Sequence, residues 1–253
     1  MSATPKRIVL LVDSGTLPLM EQAVSLAALV QAQLEAVFIE DDELLQVASL
    51  PFSREVSLRT ATVRRLSRER LQQEIDREFE QFRLRLEQTA TRSRVQWECR
   101  RYVGSRREAW RESAQQVELL FAGGAQAASR RPAAGQRLKD MVYAVYNGTE
   151  AARNAVAVAL SVAEAERLHL VVLIPETPSY HQWYQEAQEL VQHSGISSQL
   201  VPVHHPDSMP NLKVMVSGLR GTLLFLPREL EILSPLNIDE LLQVIRLPVI
   251  FVP

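Results

Sequence analysis

Cysteine is all but missing from this chain. Cys99 is the single thiol in 253 residues, which rules out an internal disulfide and a cysteine-based zinc site and fits a reducing compartment. Long apolar runs are missing too, since none approaches the roughly 20 residues that a membrane-crossing helix needs. The leading MSATPKR passes straight into a short apolar strand, without the apolar core of a secretory leader. Neither sign of charge is in excess: 28 Lys+Arg stand against 30 Asp+Glu, so no global field calls for nucleic acid or a lipid surface. The expectation is a cytoplasmic protein with no nucleic-acid partner and no direct membrane insertion, long enough for one large domain or two small ones.

What is present is an internal repeat. RIVLLVDSGT at 7–16 lies over DMVYAVYNGT at 140–149, with Gly-Thr in register at the end of each. An amphipathic segment follows both (20–33 and 151–167), and both lead into an apolar run, LEAVFI at 34–39 and LHLVVLI at 168–174. The echo returns as ELLFA at 118–122 and TLLFL at 222–226. Charge divides along the same line. Residues 1–137 hold 21 basic and 18 acidic side chains, net +3, and residues 138–253 hold 7 and 12, net −5. Solvated helix faces account for this, with a weak attraction between the halves as the sharper reading.

Periodicity places strands near 7–13, 34–40, 95–103 and 117–122 in the first half, with helices near 17–32, 60–92 and 105–116. In the second half it places strands near 141–146, 169–174, 199–204, 222–226 and 248–252, and helices near 150–166, 179–193, 209–218 and 237–245. Strands alternating with helices, several of them continuous apolar runs, predict an α/β fold of two doubly wound, mostly parallel domains, 1–137 and 138–253. The small, polar, turn-rich stretch 125–137 reads as the linker. No apolar run follows Phe121 before the second copy begins, so the first domain is expected to have four strands.

The DSGT after the first strand invites comparison with an aspartic protease. That chemistry needs two aspartates sharing a proton, and the second copy has Tyr146 where the partner should be. Thr16 as helix N-cap, with Pro18 in the first turn, is the better reading.

Both β-α-β openings, and the ending GTLLFLPRELEILSPLNIDELLQVIRLPVIFVP, resemble the universal stress protein family, as a tandem pair covering most of the chain. The resemblance implies the family's five-stranded fold, akin to the adenine nucleotide alpha hydrolases, a role in stress or signalling, and dimerisation. It also directs attention to one loop. ATP-binding members carry Gly-x-x-Gly, nine residues, then Gly-Ser/Thr after the fourth strand, because glycines let backbone N–H groups approach phosphate closely. Here that loop begins Gly123-Gly124 and neither register completes the pattern. The second copy, Leu226-Pro-Arg-Glu-Leu-Glu, has no glycine. Asp13 matches the family aspartate that contacts the adenosine moiety. A degenerate ligand site would draw on Asp13, Ser14 and Gly15 with Gly123, Gly124, Arg130 and Arg131. The resulting expectation is a non-catalytic regulatory protein without ATP or another cofactor. The alternatives are a nucleotide-binding or hydrolysing switch at that site, and a regulatory subunit of a larger assembly such as a transporter.

Two interfaces are expected. Leu71, Ile75, Phe79, Phe82 and Leu86 form a helical stripe within 60–92, which either packs on its own sheet or, through Phe79 and Phe82, meets a protein partner. In the universal stress protein fold the last strand lies at an edge, so the resemblance implies that the final strand here, with Val249, Ile250 and Phe251, is an open edge that pairs with a second copy in a homodimer. Other candidates point to structure. His204 and His205 face opposite ways, His181 and His193 lie too far apart to share a metal, Asp41-Asp42-Glu43 opens a helical turn, and Cys99 packs in a strand.

Overall fold

A computed structural model describes residues 7–12, 19–56, 61–116, 119–122, 141–206, 208–230 and 238–253. In the first half the elements are β1 (Arg7–Val12), α1 (Leu19–Leu29), β2 (Gln33–Glu40), α2 (Asp42–Ser49), β3 (Arg54–Val56), β4 (Val63–Arg65), α3 (Arg68–Arg92), β5 (Trp97–Val103), α4 (Arg106–Gln116) and β6 (Leu119–Ala122). The second half adds β7 (Met141–Val145), α5 (Glu150–Glu166), β8 (His169–Pro175), α6 (Tyr180–Gln192), β9 (Ser198–Val203), α7 (Met209–Ser217), β10 (Leu223–Pro227), α8 (Ile238–Val244) and β11 (Val249–Val252).

Nine strands form one sheet in the order β5-β2-β1-β6-β11-β10-β7-β8-β9. All neighbours are parallel except β6 and β11, which run antiparallel with Phe121 opposite Ile250. Read outward from the centre, β6-β1-β2-β5 and β10-β7-β8-β9 follow the same plan. Helices cover both faces: α1, α3, α5 and α6 pack on one, α4, α7 and α8 on the other. Strands buried on both faces must be apolar on both, which is why RIVLLV, LLFLP and VIFV read as continuous runs. On α5, Ala152, Ala155, Ala159 and Ala163 make a small-residue face toward the sheet; Thr149 caps its start and Arg167, in the left-handed region, ends it.

The place of β11 corrects the sequence expectation. This strand is central, hydrogen-bonded to β6 on one side and β10 on the other, with Val249, Ile250 and Phe251 fully buried. Among the described residues the first half supplies four strands to the sheet, and the last strand of the same chain occupies the flank of β6. A partner held on the same chain outcompetes a separate molecule at ordinary concentrations. Trp110 of α4 reinforces the junction, lying edge-on to Phe251 with ring centroids 4.4 Å apart.

Of the two readings of the α3 stripe, packing on its own sheet holds for Phe82, which is corrected as an interface residue. Phe82 is fully buried and packs against Phe38 of β2 at 6.2 Å, while half-buried Phe79 meets the same ring edge-on at 5.5 Å. The Arg101 guanidinium covers Phe79 at 4.2 Å, and Arg101 also reaches Glu40 at 3.7 Å. Phe82 and Leu86 therefore belong to the chain's own core, with Ile75 and Phe79 packed at its margin. On the opposite face buried Glu35 receives Arg7 and Arg100, the latter at 2.7 Å, so its charge is compensated where it lies under α4.

The segment between β2 and α3 departs most from expectation. Asp41 caps α2, accepting from the amides of Glu43 at 3.0 Å and Leu44 at 3.3 Å, as its acidic opening implied. Beyond it, β3 and β4 form a separate antiparallel hairpin, so α3 begins at Arg68 behind the N-cap Ser67 and not near 60.

Candidate functional site

In an open parallel sheet the crevice for a ligand lies beyond the carboxyl ends of the strands, where the order reverses. In the first half that place is between β1 and β6, whose ends run side by side with Leu10 beside Phe121. Asp13, Ser14, Gly15, Gly123, Gly124, Arg130 and Arg131, together with the 125–137 stretch, lie outside the described residues.

The matching place in the second half lies between β7 and β10; the turn after β7 is described throughout, and the described part of the loop after β10 ends at Leu230. Tyr146 stands where the aligned segment of the first half has Asp13. Its amide is tied to the Leu173 carbonyl at 2.9 Å, its ring is fully buried, and its hydroxyl donates to Glu186 Oε2 at 2.6 Å. Burial and that bond push the phenol up to about 12. Glu186 is held below the usual carboxylate range, first by Tyr146 and then by Gln182, whose amide donates at 2.8 Å; Arg153 adds a positive charge at 3.7 Å.

The loop that follows has no room either. Asn147 Oδ1 accepts from the Thr149 hydroxyl at 2.8 Å, and Thr149 Oγ1 accepts the Ala152 amide at 3.2 Å, closing the turn onto the α5 N-terminus. Gly148 has φ +78°, and a Cβ placed there would stand 2.2 Å from Trp183 Nε1, so the indole rests on the glycine backbone. On the other wall, the Arg228 amide donates to the Val252 carbonyl at 2.7 Å, extending the sheet. Among the described residues, the amides of Tyr146, Thr149, Ala152 and Arg228 are thus engaged in internal bonds.

The sequence had singled out Tyr146 as a departure from Asp. It gave no role to Trp183, Glu186 or Arg153, which reach the same spot from α6 and α5; the i, i+3 pairing of Trp183 and Glu186 on one helix was the available signal.

Chemistry elsewhere is sparse. Among the described residues no group of three His, Cys, Asp or Glu is placed to hold a metal. His181, His193, His204 and His205 are exposed. Cys99 is half-buried, and burial pushes its thiol up to about 11, away from the thiolate that reacts. No helix among the described residues is long and apolar enough to cross a membrane.

No family model matches the sequence, and no curated protein matches it. Solved structures do. A universal stress protein from Archaeoglobus fulgidus DSM 4304 is 10% identical, superposes with a TM-score of 0.58, and the match covers 98% of this chain and 96% of that one. A functionally unknown protein from Pseudomonas aeruginosa PAO1 is 12% identical, with a TM-score of 0.44 over 98% and 92% of the two chains. A universal stress protein solved in complex with cAMP is 16% identical, with a TM-score of 0.38 over 45% of this chain and 96% of that one. With its mostly parallel sheet covered by helices on both faces, the chain has the fold of the universal stress proteins over nearly its whole length.

Proposed function

We propose that this chain is a non-catalytic, universal-stress-protein-like binding protein of the cytoplasm. It is built as a tandem of two copies, 1–137 and 138–253, whose second copy has given up nucleotide binding for internal packing. The observation that supports this most is the contact of Trp183 with Gly148 beneath the Tyr146–Glu186 bond, at the crevice where a ligand of this fold would enter. A phosphate there would find no glycine-rich loop after β10, and its charge would face the Glu186 carboxylate. In the first copy the two glycines after β6 lack the later members of the family pattern, so the same outcome is expected. The protein then acts through the surfaces it presents and not through turnover of a substrate.

The test is the nucleotide content of freshly purified protein, read by chromatography after acid release. Substoichiometric adenine nucleotide supports the proposal. One equivalent per chain, lost in Asp13→Ala and retained in Trp183→Ala, would assign the first copy a working nucleotide site.

A further inference from the structure

Six of the nine large apolar side chains exposed among the described residues fall within one short stretch: Leu44, Val47, Leu50, Phe52, Val56 and Val63. They belong to α2, the turn after it and the β3–β4 hairpin, which stand outside the nine-stranded sheet. Scattered exposed apolar residues need no explanation, but a cluster of this kind marks an interaction surface.

The two parts of the cluster carry opposite charge. The inner side of α2 buries Leu45 and Ala48, which leaves Glu43, Leu44 and Val47 on its outer side. The hairpin register places Arg54 opposite Arg65 and Val56 opposite Val63, so both arginines and both valines share one face. Like charges directly opposite each other on a hairpin are unfavourable, and among the described residues neither arginine has an ion-pair partner. Glu55 and Arg64, on the other face, do pair with each other at 3.2 Å. One face therefore offers a pair of valines beside a pair of cations without an ion-pair partner among the described residues, and the outer side of α2 offers an anion beside two apolar side chains. Within one chain both stay exposed, Val47 at 48%, Val56 at 58% and Val63 at 54%.

We propose that the occupant of this surface is a second copy of the chain: a twofold dimer in which α2 of each protomer lies across the hairpin of its partner. Symmetry makes the acidic–apolar and basic–apolar contact twice over. The lengths agree, since eight helical residues span about 12 Å and three strand residues about 10 Å. A partner of one sign, such as nucleic acid or an anionic membrane, would meet the Arg54/Arg65 face and be repelled by Asp41, Asp42 and Glu43. This dimer uses neither β11 nor Phe82 of α3, both of which are buried inside the chain.

The experiment measures mass by light scattering on the full chain at tens of micromolar, with thermal melting as a control for folding. The wild type is expected at the mass of two chains. Glu43→Arg alone, and Arg54→Glu with Arg65→Glu, should each weaken association at least about tenfold and shift the mass to one chain, with melting of the monomer unchanged. The triple variant exchanges the charges and should restore the dimer. A monomeric wild type, a dimer that survives either reversal, or a triple variant that stays monomeric while folded would each overturn the proposal.

Discussion

Trp183 lies on the backbone of Gly148, close enough that a single methyl group at residue 148 would stand 2.2 Å from the indole nitrogen. The contact joins the turn after β7 to a helix more than thirty residues later, and it occupies the β7 side of the second crevice. Gly148→Ala should therefore destabilise twice over, through the positive φ and through displacement of a bulky ring, by about 2–4 kcal/mol together. Trp183→Ala should lower the cost of Gly148→Ala, because the obstructing ring is gone. Denaturant melts of the two single variants and the double variant check this as a mutant cycle.

The Tyr146–Glu186 bond gives stability a dependence on pH at both extremes. The carboxyl of Glu186 is depressed in the folded state below 4.5, so its contribution is present above pH 4.5 and is lost as pH falls through the lower folded value. The phenol of Tyr146 is raised from 10 to about 12, so its contribution is present below pH 10 and is lost as pH rises toward 12. Glu186→Gln should flatten the acid limb relative to the wild type, and Tyr146→Phe the alkaline one, in melting temperatures recorded across pH.

Phe79 and Phe82 should separate on truncation. Phe82→Ala empties a fully buried site and should cost about 3–5 kcal/mol, whereas half-buried Phe79, covered by Arg101, should cost less. Neither should change the assembly mass. A mass change in Phe82→Ala that precedes unfolding would put α3 at an interface.

Ile250→Pro removes a donor from a strand that pairs on both sides, to Phe121 and to Phe225. The expected result is loss of the folded chain, at more than about 3 kcal/mol, and not a folded monomer released from a dimer. Circular dichroism alongside light scattering distinguishes the two.

Most of the sheet is legible in the sequence because its strands are apolar on both faces and its helices carry clear stripes, so RIVLLV, LVVLI and the alanine face of α5 declare themselves. The hairpin does not. REV and VRR carry too little apolar pattern to read as strands, and VRR merges with the charged run that opens α3. The central position of β11 is not legible locally: VIFV is apolar on both faces, but its neighbour β6 lies in the other half, and local pattern cannot name a distant partner. The occupation of the β7 side of the second crevice was half legible. Tyr146 in place of aspartate was visible, but Trp183 reaches Gly148 only through the tertiary path of α6.

The proposal that nucleotide binding has been given up is tested most directly by calorimetric titration of the full chain with Mg-ATP. No saturable heat is expected, in the wild type or in Trp183→Ala. A micromolar dissociation constant in the wild type, abolished by Asp13→Ala, would contradict it.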